Sequence, residues 1–186
     1  ASDVYKRQVD TSNGRWDRPD TGIAFIGDSI CQNAKLLYGD WNTILGRSDC
    51  ANYGIGGQTT LECRARIGEL AARNYRQIVF ICGINDIGHG YTKEEIVQNY
   101  AAMIETVQAS NPDCQFVILS TLPTTSAFYS GQQGKITLLN LAFKRFANKT
   151  PNVTFVDVYS AFCPKAGEYA YPQPVSYTHL TLPTTP

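Results

Sequence analysis

Short apolar runs alternate with amphipathic stretches along the middle of the chain. The apolar runs are four to six residues long, which is the length of a buried strand. Some end in glycine or serine, and turn residues lie between them. Strands are therefore predicted over residues 22–27, 50–53, 78–82, 116–120 and 153–157.

Helical spacing separates these strands. Thr92 and Glu95 have the spacing of a capping box that opens a helix, and a later helix is expected to stop before Pro151. The stretch up to Leu45 is polar and predicted to be partly helical. Apolar faces are predicted for Leu61, Ile67, Leu70 and Ala71 in a helix over 60–73, for Ile96, Val97, Tyr100, Ile104 and Val107 in the second helix, and for Ile136, Leu139, Phe143 and Phe146 in the third.

Strands that are apolar on both faces and separated by helices are typical of a parallel sheet covered on both sides. Right-handed crossovers then give a three-layer α/β/α sandwich with five parallel, flavodoxin-like strands. The partial alternation of 153–157 favours a place at the sheet edge. We expect one domain over residues 21–163, after a polar segment at 1–20 and before a loop at 164–173.

The ends of the chain differ in composition from its middle. Residues 174–186 contain neither charge nor glycine, and residues 1–8 fit no predicted element. Both resemble translated sequencing-adapter read-through, and disordered natural termini are the alternative. We expect both ends to be non-native, and we expect a final helix of the fold to be missing.

Charge and composition exclude several classes of function. The 186 residues carry 16 Lys and Arg against 16 Asp and Glu, so the neutral chain predicts no nucleic-acid or anionic-membrane partner. No apolar run approaches the roughly 20 residues that span a bilayer, so we expect a soluble protein, either cytoplasmic or periplasmic/secreted. The six cysteines include no C-x-x-C pair, which argues against zinc. Cys82 and Cys114 are predicted to be small buried hydrophobes.

Ligands of a parallel sheet bind at the carboxyl ends of its strands, where three unusual loops are predicted. In the first loop, Ser29 follows the strand as part of Gly-Asp-Ser, so its hydroxyl can act as a nucleophile; helix capping is the alternative. The second, at 52–59, is rich in glycine, which allows close approach to its backbone; a tight turn is the alternative. In the third, the Asn85 amide can bond to an oxyanion, or form a turn with Asp86.

Together, the three loops resemble the SGNH (GDSL-type) serine hydrolase family over roughly residues 21–163. The first block is matched by Gly-Asp-Ser at 27–29, although Ile30 stands where the family often has leucine. The second is matched by Asn-x-Gly-Ile-Gly-Gly-Gln-Thr at 52–59, and the third by Gly-Ile-Asn-Asp at 83–86. The resemblance implies an esterase, lipase, acetylhydrolase or carbohydrate deacetylase that needs no metal or cofactor.

The resemblance also implies roles for residues. Ser29 would be the nucleophile, and its N–H, the Gly57 N–H and the Asn85 side-chain amide would form the oxyanion hole. The further candidates for contact with the substrate, which we expect to be a small-molecule or carbohydrate ester, are Asp28, Asn52, Asp86 and His89.

The family has an Asp-x-x-His block near the C-terminus, which supplies the general base and its carboxylate, and that block is not found in this part of the sequence. His179 is preceded at the corresponding position by Ser176, and Asp157 has no histidine three residues after it. We expect the pair to follow Tyr171 closely in the natural chain, and this chain to be poorly active without it. His89 is the other candidate base, although a surface histidine is the default interpretation of its place, substrate contact is the second, and the base is the least favoured of the three.

Two questions stay open at the level of sequence. Tyr38, Trp41 and Asn42 are candidates for one wall of the acyl or sugar pocket, with packing beneath a long loop as the alternative, and Tyr129 lies in a candidate rim loop at 121–131. A non-catalytic flavodoxin-like domain that binds a phosphate or small molecule is the alternative function. An inactive member of the hydrolase family is the third possibility.

Overall fold

The structure is a computed structural model that describes residues 19–38, 40–124 and 131–163. Strands and helices alternate along most of this part of the chain. The elements are β1 (Thr21–Gly27), α1 (Ser29–Tyr38), α2 (Trp41–Leu45), β2 (Cys50–Gly54), α3 (Thr60–Ala65), α4 (Gly68–Ala71), β3 (Asn74–Ile81), α5 (Ile84–Gly88), α6 (Lys93–Gln108), β4 (Gln115–Leu119), α7 (Gln133–Ala147), β5 (Val153–Val156) and α8 (Tyr159–Phe162).

The five strands form one parallel sheet in the order β2-β1-β3-β4-β5. This confirms the predicted parallel α/β architecture and the place of β5 at the edge. Because β1 lies between β2 and β3, the loops after these three strands are neighbours at one edge of the sheet. The predicted candidate loops are the ones that follow these strands.

Apolar side chains cover both faces of the sheet. On one face, Phe80 and Phe116 pack with Tyr100 of α6 and Phe143 of α7 in the larger buried cluster. On the other face, a smaller cluster joins strand residues to Cys31 of α1. The sheet is therefore buried between two layers of helices, as the apolar runs predicted.

Three local expectations were wrong. The helix expected over 60–73 is two short helices, and Leu61 at its start is 48% exposed rather than part of the apolar face. β3 begins at Asn74, earlier than the apolar run at 78–82, because it includes a polar first half with buried Tyr75. The third loop contains the helix α5, whose five residues are too few to show a helical period.

The cysteines behave as buried apolar residues. Cys82 and Cys114 are buried, as predicted, and all six cysteines are free thiols. Burial raises the pKa of Cys114 to about 11, so this thiol stays protonated at neutral pH. Among the helices of the described ranges, none is both long enough and apolar enough to cross a membrane.

Candidate active site

The first candidate loop turns directly from β1 into α1, with Ser29 as the first helical residue. The Asp28 N–H donates to the carbonyl oxygen of Ile81 at 3.2 Å, and the Asp28 Oδ1 accepts the N–H of Ile30 at 2.9 Å. A Cβ added to Gly27 would lie 2.0 Å from the Ile81 carbonyl oxygen, so β1 approaches β3 at a distance only glycine allows. These contacts fix Ser29, which is 8% exposed, at the helix N-terminus.

Asp28 lies inside this turn. Its side chain is buried, and burial raises the pKa of the carboxyl to about 7, helped by the nearby charge of Asp86 and opposed by the hydrogen bond from Ile30. Asp28 was a candidate for substrate contact. The structure places its carboxyl beneath the serine, where it shapes the turn.

The second loop is attached to α1 through Asn52, another candidate for substrate contact. The Asn52 Nδ2 donates to the carbonyl oxygen of Cys31 at 3.0 Å, and its Oδ1 accepts the N–H of Gly54 at 2.8 Å. The thiol of Cys31 also donates to this Oδ1 at 3.4 Å. Both ends of the Asn52 amide thus bind the protein itself and hold the end of β2 against the helix of Ser29.

Beyond Asn52, the backbone of the glycine loop is held by its neighbours. The Ile55 N–H donates to the carbonyl oxygen of Gly27 at 3.0 Å, and the Gly56 N–H donates to the Gln32 Oε1 at 2.7 Å. Gly57 follows with φ +77°, and a Cβ there would contact nothing within 4 Å. The loop is therefore fixed on its inner side, while Gly57 itself is exposed.

The third loop presents Asn85, which is 4% exposed, from the first turn of α5. The expected rigid strand end is thus a short helix, which begins after Gly83 with φ +141°. The Asn85 Nδ2 donates to the backbone carbonyl oxygen of Gln58 at 2.9 Å. This bond joins the asparagine to the glycine loop directly.

His89 is exposed at the end of α5. Its Nδ1 lies 2.7 Å from the backbone oxygen of Asn85. Because a carbonyl oxygen only accepts, the proton of a neutral ring lies on Nδ1 and leaves Nε2 as the acceptor. His89 therefore stands at the same edge as Asn85 with an accessible basic nitrogen.

Asp86, the remaining candidate for substrate contact, has no exposed surface. Its two carboxylate oxygens each accept the Thr60 N–H at 3.0 Å, and its Oδ1 also accepts the Thr60 hydroxyl. The Thr60 Oγ1 in turn accepts the Asn99 Nδ2 at 3.0 Å. Burial raises the pKa of Asp86, and the Thr60 hydrogen bonds oppose that shift. Asp86 thus ties α5 to α3 and α6 from inside.

Comparison with known proteins bears on this arrangement. Residues 25–182 match the GDSL-like lipase/acylhydrolase family. The chain belongs to this family. It is therefore an esterase-type hydrolase, as the resemblance implied. The family match contradicts the alternative of a non-catalytic domain that binds a phosphate or small molecule.

Several relatives resemble this GDSL-family chain over most of its length. The platelet-activating factor acetylhydrolase IB subunit alpha2 of Gallus gallus is 26% identical over 159 residues, which are 86% of this chain and 69% of the relative. A Streptococcus pneumonia protein, provisionally described as a platelet activating factor, is 27% identical with a TM-score of 0.68, over 90% of this chain and 79% of that one.

A third relative shares the fold at lower identity. The GDSL-like lipase of Bacteroides thetaiotaomicron superposes with a TM-score of 0.68 over 85% of this chain and 79% of that one, at 23% identity. At this identity the likeness shows a shared fold alone.

Trp41 and Asn42 pack against the body of this GDSL-family domain. Trp41 stacks on Phe25 of β1, with ring centroids 4.2 Å apart and planes 5° apart. The Asn42 Oδ1 accepts the Cys50 N–H at 2.8 Å at the amino end of β2, away from Ser29. The packing alternative therefore holds for both. The side chain of Tyr38, as well as Tyr129, Tyr171 and His179, lie outside the described residues.

Thr60 and Asn99 were not among the predicted site residues. A signal for the start of α3 was nevertheless visible, because Thr59 and Glu62 have the capping-box spacing that was used for α6, and the structure contains that box. No local signal indicates that Asp86 bonds to Thr60, since the two are 26 positions apart.

Proposed function

We propose that this hydrolase is a serine esterase in which Ser29 is the nucleophile. The observation that carries the proposal is the hydrogen bonding among three neighbouring loops at one sheet edge. Gly27 accepts from the glycine loop, and Gln58 of that loop accepts from Asn85. The serine, the glycine backbone and the amide are thereby preorganised at the N-terminus of α1.

In this proposal the Ser29 hydroxyl oxygen attacks the ester carbonyl carbon and gives its proton to a general base. The Ser29 N–H, the Gly57 N–H and the Asn85 Nδ2 stabilise the negative charge on the former carbonyl oxygen. Collapse expels the alcohol, which takes the proton, and leaves an acyl-serine. Water then attacks the acyl carbon and gives a proton to the base, the bond between that carbon and the Ser29 oxygen breaks, Ser29 takes the proton back from the base, and the acid leaves.

The base is proposed to be the histidine of an Asp-x-x-His pair in the natural chain beyond Tyr171. His89 is the second candidate, since its side chain is exposed at the same edge and its Nδ1 lies against the Asn85 backbone oxygen, which leaves Nε2 as the acceptor. Without either, Ser29 is a weak nucleophile, because its hydroxyl is protonated at neutral pH.

The substrate is proposed to be an ester of a short acyl group, acetyl first, with a carbohydrate as the alcohol. The acetyl group finds support in the Gallus gallus relative, which is named as an acetylhydrolase. A series of p-nitrophenyl esters from acetate to decanoate tests the acyl length: we expect the rate to fall as the chain lengthens. A preference for decanoate would contradict the proposal.

Asp28, Asn52 and Asp86 are proposed to shape the site without touching substrate, since their side chains bind the protein itself. His89 keeps the proposed role of a contact residue at the rim, because its ring is exposed. Substituting His89 by Gln is then expected to raise KM more than it lowers kcat.

A fluorophosphonate that reacts with activated serines tests the nucleophile by mass spectrometry. The adduct is expected on Ser29, to be lost in Ser29→Ala, and to persist in the matched control Ser110→Ala, whose hydroxyl bonds to the Ala71 carbonyl oxygen at the opposite sheet end. The experiment includes the chain continued along its natural reading frame. An adduct elsewhere, or none on the continued chain, would overturn the assignment.

A further inference from the structure

The guanidinium of Arg66 contacts the ends of two of the three strands that carry the site, and it also contacts the glycine loop. The Arg66 Nη2 donates to the carbonyl oxygen of Tyr53 in β2 at 2.6 Å, and lies 3.5 Å from the carbonyl oxygen of Gly27 at the end of β1. The Arg66 Nε donates to the Gln58 Oε1 in the glycine loop at 2.8 Å. The guanidinium thereby fixes β1, β2 and the loop relative to one another.

The third strand end is reached through Gln58. Its side chain is held by Arg66, and its backbone carbonyl oxygen accepts the Asn85 Nδ2 at 2.9 Å. The thiol of Cys82, the residue after β3, also donates to this oxygen at 3.5 Å. Gln58 therefore accepts a hydrogen bond from Arg66 at its side chain and another from Asn85 at its backbone.

We propose that Arg66 is a positioning residue, which acts through Gln58 to orient the Asn85 carboxamide. The proposal rests on the oxyanion role of Asn85 given above. Arginine suits the task because its planar fork can hold two acceptors at a fixed angle, which a lysine ammonium cannot. Arg66 is half-buried, so its hydrogen bonds are less screened than those of an exposed side chain.

A stabilising role alone is the competing explanation, because Arg66 also follows the last residue of α3. The two explanations differ in what they predict for Asn85. A role in stability loosens the whole fold evenly. A positioning role releases the Asn85 amide while the far end of the sheet stays unchanged.

Side-chain amide NMR with selectively 15N-labelled asparagine separates these explanations. The Asn85 NH2 signal is assigned by Asn85→Asp, and the Asn111 amide, which donates to the Tyr75 carbonyl oxygen at 2.8 Å, is the internal reference. In Arg66→Gln we expect the Asn85 amide to lose its chemical-shift separation and exchange protection while Asn111 keeps both. The matched control Arg145→Gln, which removes an equal charge from an exposed position on α7, is expected to change neither.

Loss of protection at both amides, or at neither, would overturn the proposal. A kinetic arm follows the fluorophosphonate reaction of Ser29 and separates the inactivation rate from the inhibitor affinity. Arg66→Gln is expected to lower that rate about 10- to 100-fold at unchanged affinity, since misplacement near 1 Å costs up to about 10² in rate. The inactivation rate of Arg66→Lys is expected to lie between those of Arg66→Gln and the wild type.

The two arms fail independently. If Ser29 does not react even in the chain continued along its natural reading frame, the proposed serine mechanism is wrong, and the NMR arm still decides whether Arg66 positions Asn85. If Ser29 reacts and Arg66→Gln reacts at the wild-type rate, the positioning role is wrong while the esterase proposal stands.

Discussion

The two edges of the sheet treat their aspartates differently. Beyond the carboxyl ends of β1 and β3, the carboxyl groups of Asp28 and Asp86 are buried. Before the amino ends of β1 and β2, Asp20 and Asp49 form more exposed ion pairs with arginines. Asp28 and Asp86 accept hydrogen bonds from backbone N–H groups, and burial raises the pKa of each. At the opposite edge the hydrogen bond from Arg47 lowers the pKa of Asp49.

The difference shows that the edge with the candidate site has a fixed geometry that costs free energy, whereas the opposite edge does not. Burying a carboxyl group costs free energy that only well-placed donors offset, and the result is a fixed local geometry. An exposed ion pair costs little desolvation free energy, but it also constrains the local geometry only weakly, because water and salt screen it. Substitutions at the two edges should therefore differ strongly in effect.

The largest effect is expected for Asp86→Ala. The change leaves the Thr60 N–H and hydroxyl buried without their acceptor, and each unsatisfied group costs about 1–3 kcal/mol, so the free energy of unfolding should fall by about 3–5 kcal/mol. Urea denaturation measures it. Asp86→Asn, which keeps one acceptor oxygen, should lose less, and equal losses would show that the Thr60 contacts are unimportant.

Gly27→Ala tests the close approach of β1 and β3. The added Cβ would collide with the Ile81 carbonyl oxygen, so strands must separate, at a cost of about 3 kcal/mol in unfolding free energy. Gly57→Ala is the matched control: its Cβ meets open space, and only the positive φ costs about 1 kcal/mol. Similar losses in the two variants would contradict the geometry.

Asp28→Asn should change how stability depends on pH. The folded carboxyl, with a pKa of about 7 against 3.8 for an unperturbed Asp, holds its proton more tightly than in the unfolded chain, so stability falls as pH rises from about 4 to 7. Asparagine keeps the Oδ1 acceptor for Ile30 and cannot ionise.

The free energy of unfolding of the variant should therefore rise relative to that of the wild type by about 2.5 kcal/mol between pH 5 and pH 8. Chemical denaturation at the two pH values measures this gain. A constant difference between the two proteins would show that Asp28 does not titrate in this range.

The smallest effect is expected for Asp49→Asn at the opposite edge. It removes the ion pairs with Arg47 and Arg76, which are already partly exposed. Any loss in Tm should shrink as salt is raised, because added ions screen such pairs. If Asp49→Asn lowered the free energy of unfolding as much as Asp86→Ala does, the two edges would not differ as described.

The sequence predicted the parts of the fold that depend on local pattern. Apolar runs located the strands, and the Thr92–Glu95 spacing located the start of α6, where the structure contains a full capping box. The Gly-Asp-Ser turn was placed correctly between β1 and α1. These features depend on neighbours in the chain, which a single sequence displays.

Contacts between distant residues were not predictable in this way. Arg66 meets the Tyr53 carbonyl oxygen across 13 positions, and Asp86 meets Thr60 across 26. A lone arginine or aspartate on a short helix carries no sign of its partner. Asp86 was accordingly expected to face a substrate, whereas the fold turns its side chain inward.

The glycine, asparagine and arginine contacts described for the site all join residues between Gly27 and Asn99, which is one continuous segment of the chain. β4, α7 and β5 follow that segment: the two strands extend the sheet beyond β3, and α7 packs on one of its faces. A recombination between related hydrolases with its crossover in the turn at residues 109–114 would transfer the segment as one cassette. The remainder of the domain could then be exchanged without cutting a single one of those bonds.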